Sequence, residues 1–135
     1  MTELNSLYDI AANGGVAVDC FETESAESFC LLHPGLSLII INPFLLQSVS
    51  DERVKLAHEV GHFQTGAFYN MYSPLDIRER AEHKADKWAI KKLVPKNELI
   101  EAYKNGICDN SELAELFGIT EEFLQKVLQY YSKFS

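Results

Sequence analysis

At 135 residues, 47% of them hydrophobic and 24% charged, the chain has the size and apolar content expected of one folded domain, spanning 1–135. Its 20 acidic side chains against 12 basic ones give a formal charge of -8, which opposes contact with phosphate backbones and anionic lipid, so neither nucleic acid nor membrane is expected as a partner. Residues 1–5 lack the basic and apolar stretches of a leader, and the longest apolar run, 36–41, is interrupted by Ser37 and too short to cross a bilayer, so a cytoplasmic location is expected.

In chain order, an amphipathic helix is predicted over 3–12, closed by Asn13-Gly14-Gly15, where glycine tolerates the positive φ of a helix end. Short β-branched or apolar runs follow at 16–21, 28–32 and 37–41, with His33-Pro34-Gly35 as a hairpin turn between the last two, and an antiparallel three-stranded sheet is expected. Ser50-Asp51-Glu52 reads as the cap and acidic first turn of a helix running through Val54, Leu56, Val60 and Phe63. A loop with Gly66, Asn70 and Ser73-Pro74 leads to a helix over 75–93, stopped by Pro95. Helical patterns at 97–103, 111–117 and 120–131 complete the chain, with Ser111 and Thr120 as caps. The fold class is α+β, a small sheet on a central helix with a helical C-terminus in the same domain. Cys20, Cys30 and Cys108, odd in number and without metal-ligand spacing, are read as reduced thiols and small buried hydrophobes.

His58-Glu59-Val60-Gly61-His62 is an H-E-x-x-H string. Four residues apart on a helix, the two imidazoles lie one turn apart on the same face and reach one ion together, while Glu59 stands near the open position to take a proton from water that the ion activates. A hydrolytic zinc site needs a third protein ligand. In the helix over 75–93, Glu82 shares a face with Ala85, Asp86, Ala89 and Leu93, an otherwise small and apolar stripe on which an unpaired acid is costly. Glu79, His83 and Asp86 are the alternatives. His83 is rotated by about 100° toward Lys87 and Ile90 and reads as a surface residue, whereas Asp86, one turn beyond Glu82, is placed to accept the free N–H of a ligating histidine.

These two segments, with Leu93-Val94-Pro95 after them and Ile39-Ile40-Ile41-Asn42 before, resemble the ImmA/IrrE metallopeptidase family. Its members show a hairpin ending in asparagine, an H-E-x-x-H helix, then E-x-x-A-(D or N)-x-(F or W)-A and a leucine-rich helix end closed by proline; here that end reads Lys92-Leu93-Val94-Pro95. The resemblance covers about 29–95. It implies a zincin-like α+β fold, Zn2+ held by His58, His62 and Glu82, Glu59 as general base, and an intracellular peptidase of the gluzincin kind. The substrate it implies is a repressor or other regulatory protein of a bacterial, phage or mobile-element system. The competing reading is a module that keeps the zinc-site fold and regulates a transcription factor or toxin-like partner by binding. The intact Glu59 favours catalysis.

A second donor for the tetrahedral oxyanion is sought among Tyr69, Tyr72 and His83, without a choice between them. His33 is read as structural or solvent-exposed rather than a ligand, and Trp88 as core beneath the site. The segment 111–128 has helix-turn-helix spacing, but from 96 onward Lys96, Lys104, Lys126 and Lys133 face seven acids, Glu98, Glu101, Asp109, Glu112, Glu115, Glu121 and Glu122. That net of -3 points instead to a packing or partner-docking helical pair, with Phe123, Leu124, Val127, Leu128, Tyr130, Tyr131 and Phe134 covering the core.

Overall fold

The computed structural model describes residues 3–20, 28–33, 36–43, 45–70 and 72–134. In chain order the elements are α1 (Leu4–Asn13), β1 (Ala17–Cys20), β2 (Ser28–His33), β3 (Leu36–Ile41), α2 (Val49–Thr65), α3 (Leu75–Leu93), α4 (Lys96–Lys104), α5 (Asn110–Phe117) and α6 (Glu121–Phe134). No helix among the described residues is long and apolar enough to cross a membrane.

The expected α+β class stands, but the antiparallel sheet needs correction. The strand order is β1-β3-β2. β2 and β3 pair antiparallel, with Ser28 opposite Ile41 and His33 opposite Leu36. β1 instead pairs parallel to β3, Ala17 with Leu38 and Cys20 with Ile41. Strands that follow one another by a short turn run antiparallel, whereas β1 reaches β3 only after the whole of β2, a connection long enough to return the chain in the same direction. Central β3 is the most apolar strand, with Ile39, Ile40 and Ile41 almost fully buried. The predicted turn residues Pro34 and Gly35, and the side chains of Cys20, Cys30 and His33, lie outside the described residues.

Helix α2 begins earlier than expected. Its cap is Ser48, whose Oγ accepts from the Asp51 amide at 3.0 Å, while Asp51 Oδ2 accepts from the Gln47 amide at 3.1 Å. This reciprocal pair satisfies two amides at once, so Ser50 falls inside the first turn. Gly66, at φ 67°, ends the helix in the left-handed conformation that glycine adopts without cost. α3 fills the span predicted for it between Pro74 and Pro95. α5 is capped by Asp109 rather than Ser111, its Oδ2 accepting from the Glu112 amide at 3.2 Å. Thr120 caps α6 as expected, its Oγ1 accepting from the Phe123 amide at 3.1 Å.

The buried side chains form one cluster that draws on α1 (Leu7), β3 (Ile39, Ile41), α2 (Leu56, Val60), α3 (Ala89, Leu93), α4 (Leu99), α5 (Leu113, Phe117) and α6 (Phe123, Leu124, Val127). Each fully buried Leu, Ile, Val or Phe contributes about 1.5–3 kcal/mol. The apolar faces of α5 and α6 are spent on this core, in keeping with a packing role, and Trp88 is partly buried against it. The side chain of Phe134 lies outside the described residues. Tyr131 fastens α6 to the end of α3, its hydroxyl donating to the Val94 carbonyl at 2.6 Å. Cys108, expected to be buried, is instead exposed, because it sits in the turn between α4 and α5 rather than on an apolar face.

Candidate metal centre

The site is built where α2 crosses α3. Gly61 faces the α3 backbone so closely that a Cβ there would lie 2.7 Å from the carbonyl oxygen of Ala85 and 3.2 Å from its Cα. The absence of a side chain at 61 and the small one at 85 let the two helices approach, which carries Glu82, one turn before Asp86, up to the α2 histidines. The ligating atoms of His58, His62 and Glu82 lie within 4.8 Å of one another, close enough to hold one metal ion. His62 is buried, His58 and Glu82 are half-buried, and the two rings stand edge to face with centroids 4.9 Å apart.

Each imidazole is oriented from behind. Nδ1 of His58 lies 2.8 Å from Asp86 Oδ1, and Nδ1 of His62 lies 2.7 Å from the Ala67 carbonyl oxygen. Both partners only accept, so each Nδ1 carries a proton, and in the neutral ring each Nε2 turns its lone pair toward Glu82. Nε2 of His58 is 2.7 Å from Glu82 Oε2, and Nε2 of His62 is 3.2 Å from Glu82 Oε1. Two lone pairs facing a carboxylate repel it unless a cation stands between them. The donor set therefore fits a metal ion, with the second nitrogen of each histidine already held as a ligating imidazole requires.

The titration behaviour carries the same sign. Burial alone would lower the pKa of His58, but hydrogen bonds to Asp86 and Glu82 outweigh it and push it up to about 10. For His62, burial again opposes and the Glu82 bond again wins, raising its pKa. Glu82 is lowered far below the usual carboxylate range: burial pushes it up, but bonds from His58, His62 and Tyr69 more than reverse that. Asp86 is lowered in the same way by His58 against its burial. This pocket favours positive charge, which a proton supplies in the metal-free protein.

Glu59, between the histidines on α2, is buried, 6% exposed, and its charge bears on both His58 and Tyr69. Of the three candidate oxyanion donors, Tyr69 alone reaches the cluster, donating to Glu82 Oε1 at 2.7 Å. That bond, aided by burial, pushes the phenol up to about 12, so it stays a donor at neutral pH. Tyr72 is 87% exposed. His83 lies exposed beside Lys87 and Ile90, as its place on the helix predicted, and Glu79 too is exposed; neither joins the cluster. Asn42, the residue just after β3, is buried.

Three contributors were not legible in the motifs. The Ala67 carbonyl is backbone and leaves no mark in residue type. Gly61 occupies a variable position of the string. Lys126 of α6, whose Nζ stands 3.6 Å from Asp86 Oδ2, is 40 residues distant in sequence.

The family model of the IrrE N-terminal-like domain, Peptidase_M78, matches residues 21–129, well over half of the chain. Among curated proteins no relative matches it. The matched span takes in both α2 and α3 and the whole cluster that they bring together, and the chain belongs to the ImmA/IrrE family of metallopeptidases.

Proposed function

We propose that the protein is a zinc-dependent peptidase whose one domain holds the ion through His58, His62 and Glu82 and uses Glu59 as general base. The observation that carries this reading is the convergence of those three residues within 4.8 Å beside a buried Glu59. Two imidazole nitrogens and one carboxylate oxygen, with a position left open, are the donor set of hydrolytic zinc sites. When bound, zinc supplies a Lewis acid that polarises a peptide carbonyl and acidifies water.

The chain's own residues do the rest. Asp86 and the Ala67 carbonyl keep both histidines in the tautomer that offers Nε2. Glu59 takes the proton of the attacking water on a carboxylate oxygen and delivers it to the leaving amine nitrogen. Tyr69, held at Glu82 Oε1, is the available second hydrogen-bond donor at the site. A regulatory protein such as a repressor is the substrate class this reading favours, as the family resemblance implies. A module that only binds its partner has no need of a buried carboxylate at 59.

The test is to incubate the zinc-loaded protein and its Glu59→Gln form with the protein encoded beside it. Cleavage by the first and not the second, at equal zinc content, is the expected result. Cleavage by both would remove Glu59 from its role, and cleavage by neither would favour the binding module.

A further inference from the structure

Behind the metal centre, α3 and α6 enclose a groove of about 280 Å³ lined by His83, Asp86, Lys87, Ile90, Lys126, Gln129, Tyr130 and Lys133. Three lysines converge on it in a chain whose acids outnumber its bases 20 to 12. Like charges gathered this way repel one another unless something neutralises them, and little within the protein does. Among the described residues neither Lys87 nor Lys133 has an ion-pair partner, and no acid stands three or four positions away from either on its helix. Lys126 has Asp86 at 3.6 Å, but Asp86 is already engaged by His58 at 2.8 Å.

We propose that this groove is a docking site for an acidic, extended peptide segment. Spacing favours a peptide over a single small anion. Lys126 and Lys133, seven residues apart on α6, are separated by about 10.5 Å along the helix axis, too far to share one phosphate. Carboxylates three residues apart on an extended polyproline II segment lie on the same edge about 9 Å apart, which matches. Ile90 and the ring of Tyr130 offer apolar surface to the stems of such side chains. Elsewhere the net negative surface repels acidic chains, so an acidic segment is directed to this face. Through Asp86 the groove adjoins His58, placing a docked segment next to the centre. That the segment belongs to the substrate rests on the peptidase reading; the docking itself does not.

The experiment is fluorescence anisotropy of a fluorescein-labelled hexaglutamate peptide titrated with the zinc-loaded protein at low salt. Saturable binding is expected, weakened at least roughly tenfold by Lys87→Glu with Lys133→Glu and less by the neutral pair Lys87→Gln with Lys133→Gln. The control is Lys84→Glu with Lys91→Glu, the same charge change on α3 outside the groove, expected to weaken binding less than about threefold. Equal losses in the two charge-reversed variants would reduce the effect to net charge and overturn the proposal. So would the absence of saturable binding, unaltered binding by the groove variants, or tighter binding of hexathymidylate or inorganic phosphate through the same lysines. None of these outcomes touches the Glu59→Gln cleavage test, so the two readings fail separately.

Discussion

Gly61 and Ala85 meet backbone to backbone: a methyl group on Gly61 would come within 2.7 Å of the Ala85 carbonyl oxygen. A carbonyl inside a helix cannot swing aside, so Gly61→Ala has to push α3 away from α2. Alanine gains about 1 kcal/mol of helix propensity over glycine, but overpacking against a rigid neighbour costs about 1–3 kcal/mol. The expected result is a net loss of stability together with weaker zinc binding, because the displacement carries Glu82 away from the histidines. Thermal melting and competitive zinc titration measure the two. A stable variant with unchanged zinc affinity would show that the close approach is not needed.

Glu82→Ala removes one of the three proposed ligands and should weaken zinc binding by more than the ~10–100-fold typical of losing an outer hydrogen-bond partner. Zinc content after dialysis against a chelator reads this directly. Undiminished zinc would remove Glu82 from the ligand set.

The metal-free protein should respond to pH through His58. Its folded pKa of about 10 lies above the ordinary 6.5, because the bonds to Asp86 and Glu82 overcome burial. The stabilisation this represents is complete below pH 6.5 and is lost as pH rises through about 10. Melting of the metal-free protein should therefore fall across that window, and Asp86→Asn should flatten the fall. Zinc uptake at neutral pH should release protons, seen by calorimetry as a heat that varies with the ionisation enthalpy of the buffer. A buffer-independent heat would contradict it.

Tyr131→Phe leaves the Val94 carbonyl without the hydroxyl that donates to it at 2.6 Å. A lost bond of this kind costs about 0.5–1.5 kcal/mol, and more if the carbonyl stays dry. Urea unfolding should show a lower midpoint with an unchanged slope, and zinc affinity should not change.

How much of this was readable beforehand divides by physical cause. α3 was legible to the residue because prolines flank it and forbid continuation, and the convergence of His58, His62 and Glu82 was legible because metal chemistry restricts residue types and spacing. The caps of α2 and α5 were misplaced by two residues each, since Ser48 and Ser50, or Asp109 and Ser111, are equally good acceptors, and tertiary placement chooses between them. The direction of β1 was hidden because a short apolar strand carries the same alternation whichever way its neighbour runs. Cys108 was misjudged on residue type alone, which says where cysteine usually lies and not where this turn falls.

The bond between His62 and Ala67 has a consequence for how the centre tolerates change. Gly66 turns the chain so that residue 67 folds back on the helix it has just left: the Ala67 amide donates to the His62 carbonyl at 3.2 Å, and the Ala67 carbonyl accepts from His62 Nδ1. At Nδ1 the ring is held by main chain alone. Side-chain substitutions at 67 leave that carbonyl in place, so this position is free to drift in residue type while His62 keeps its aim. His58 relies on the carboxylate of Asp86 and has no such freedom. One half of the centre is thus insulated from mutation by peptide geometry, and the other is hostage to a single codon.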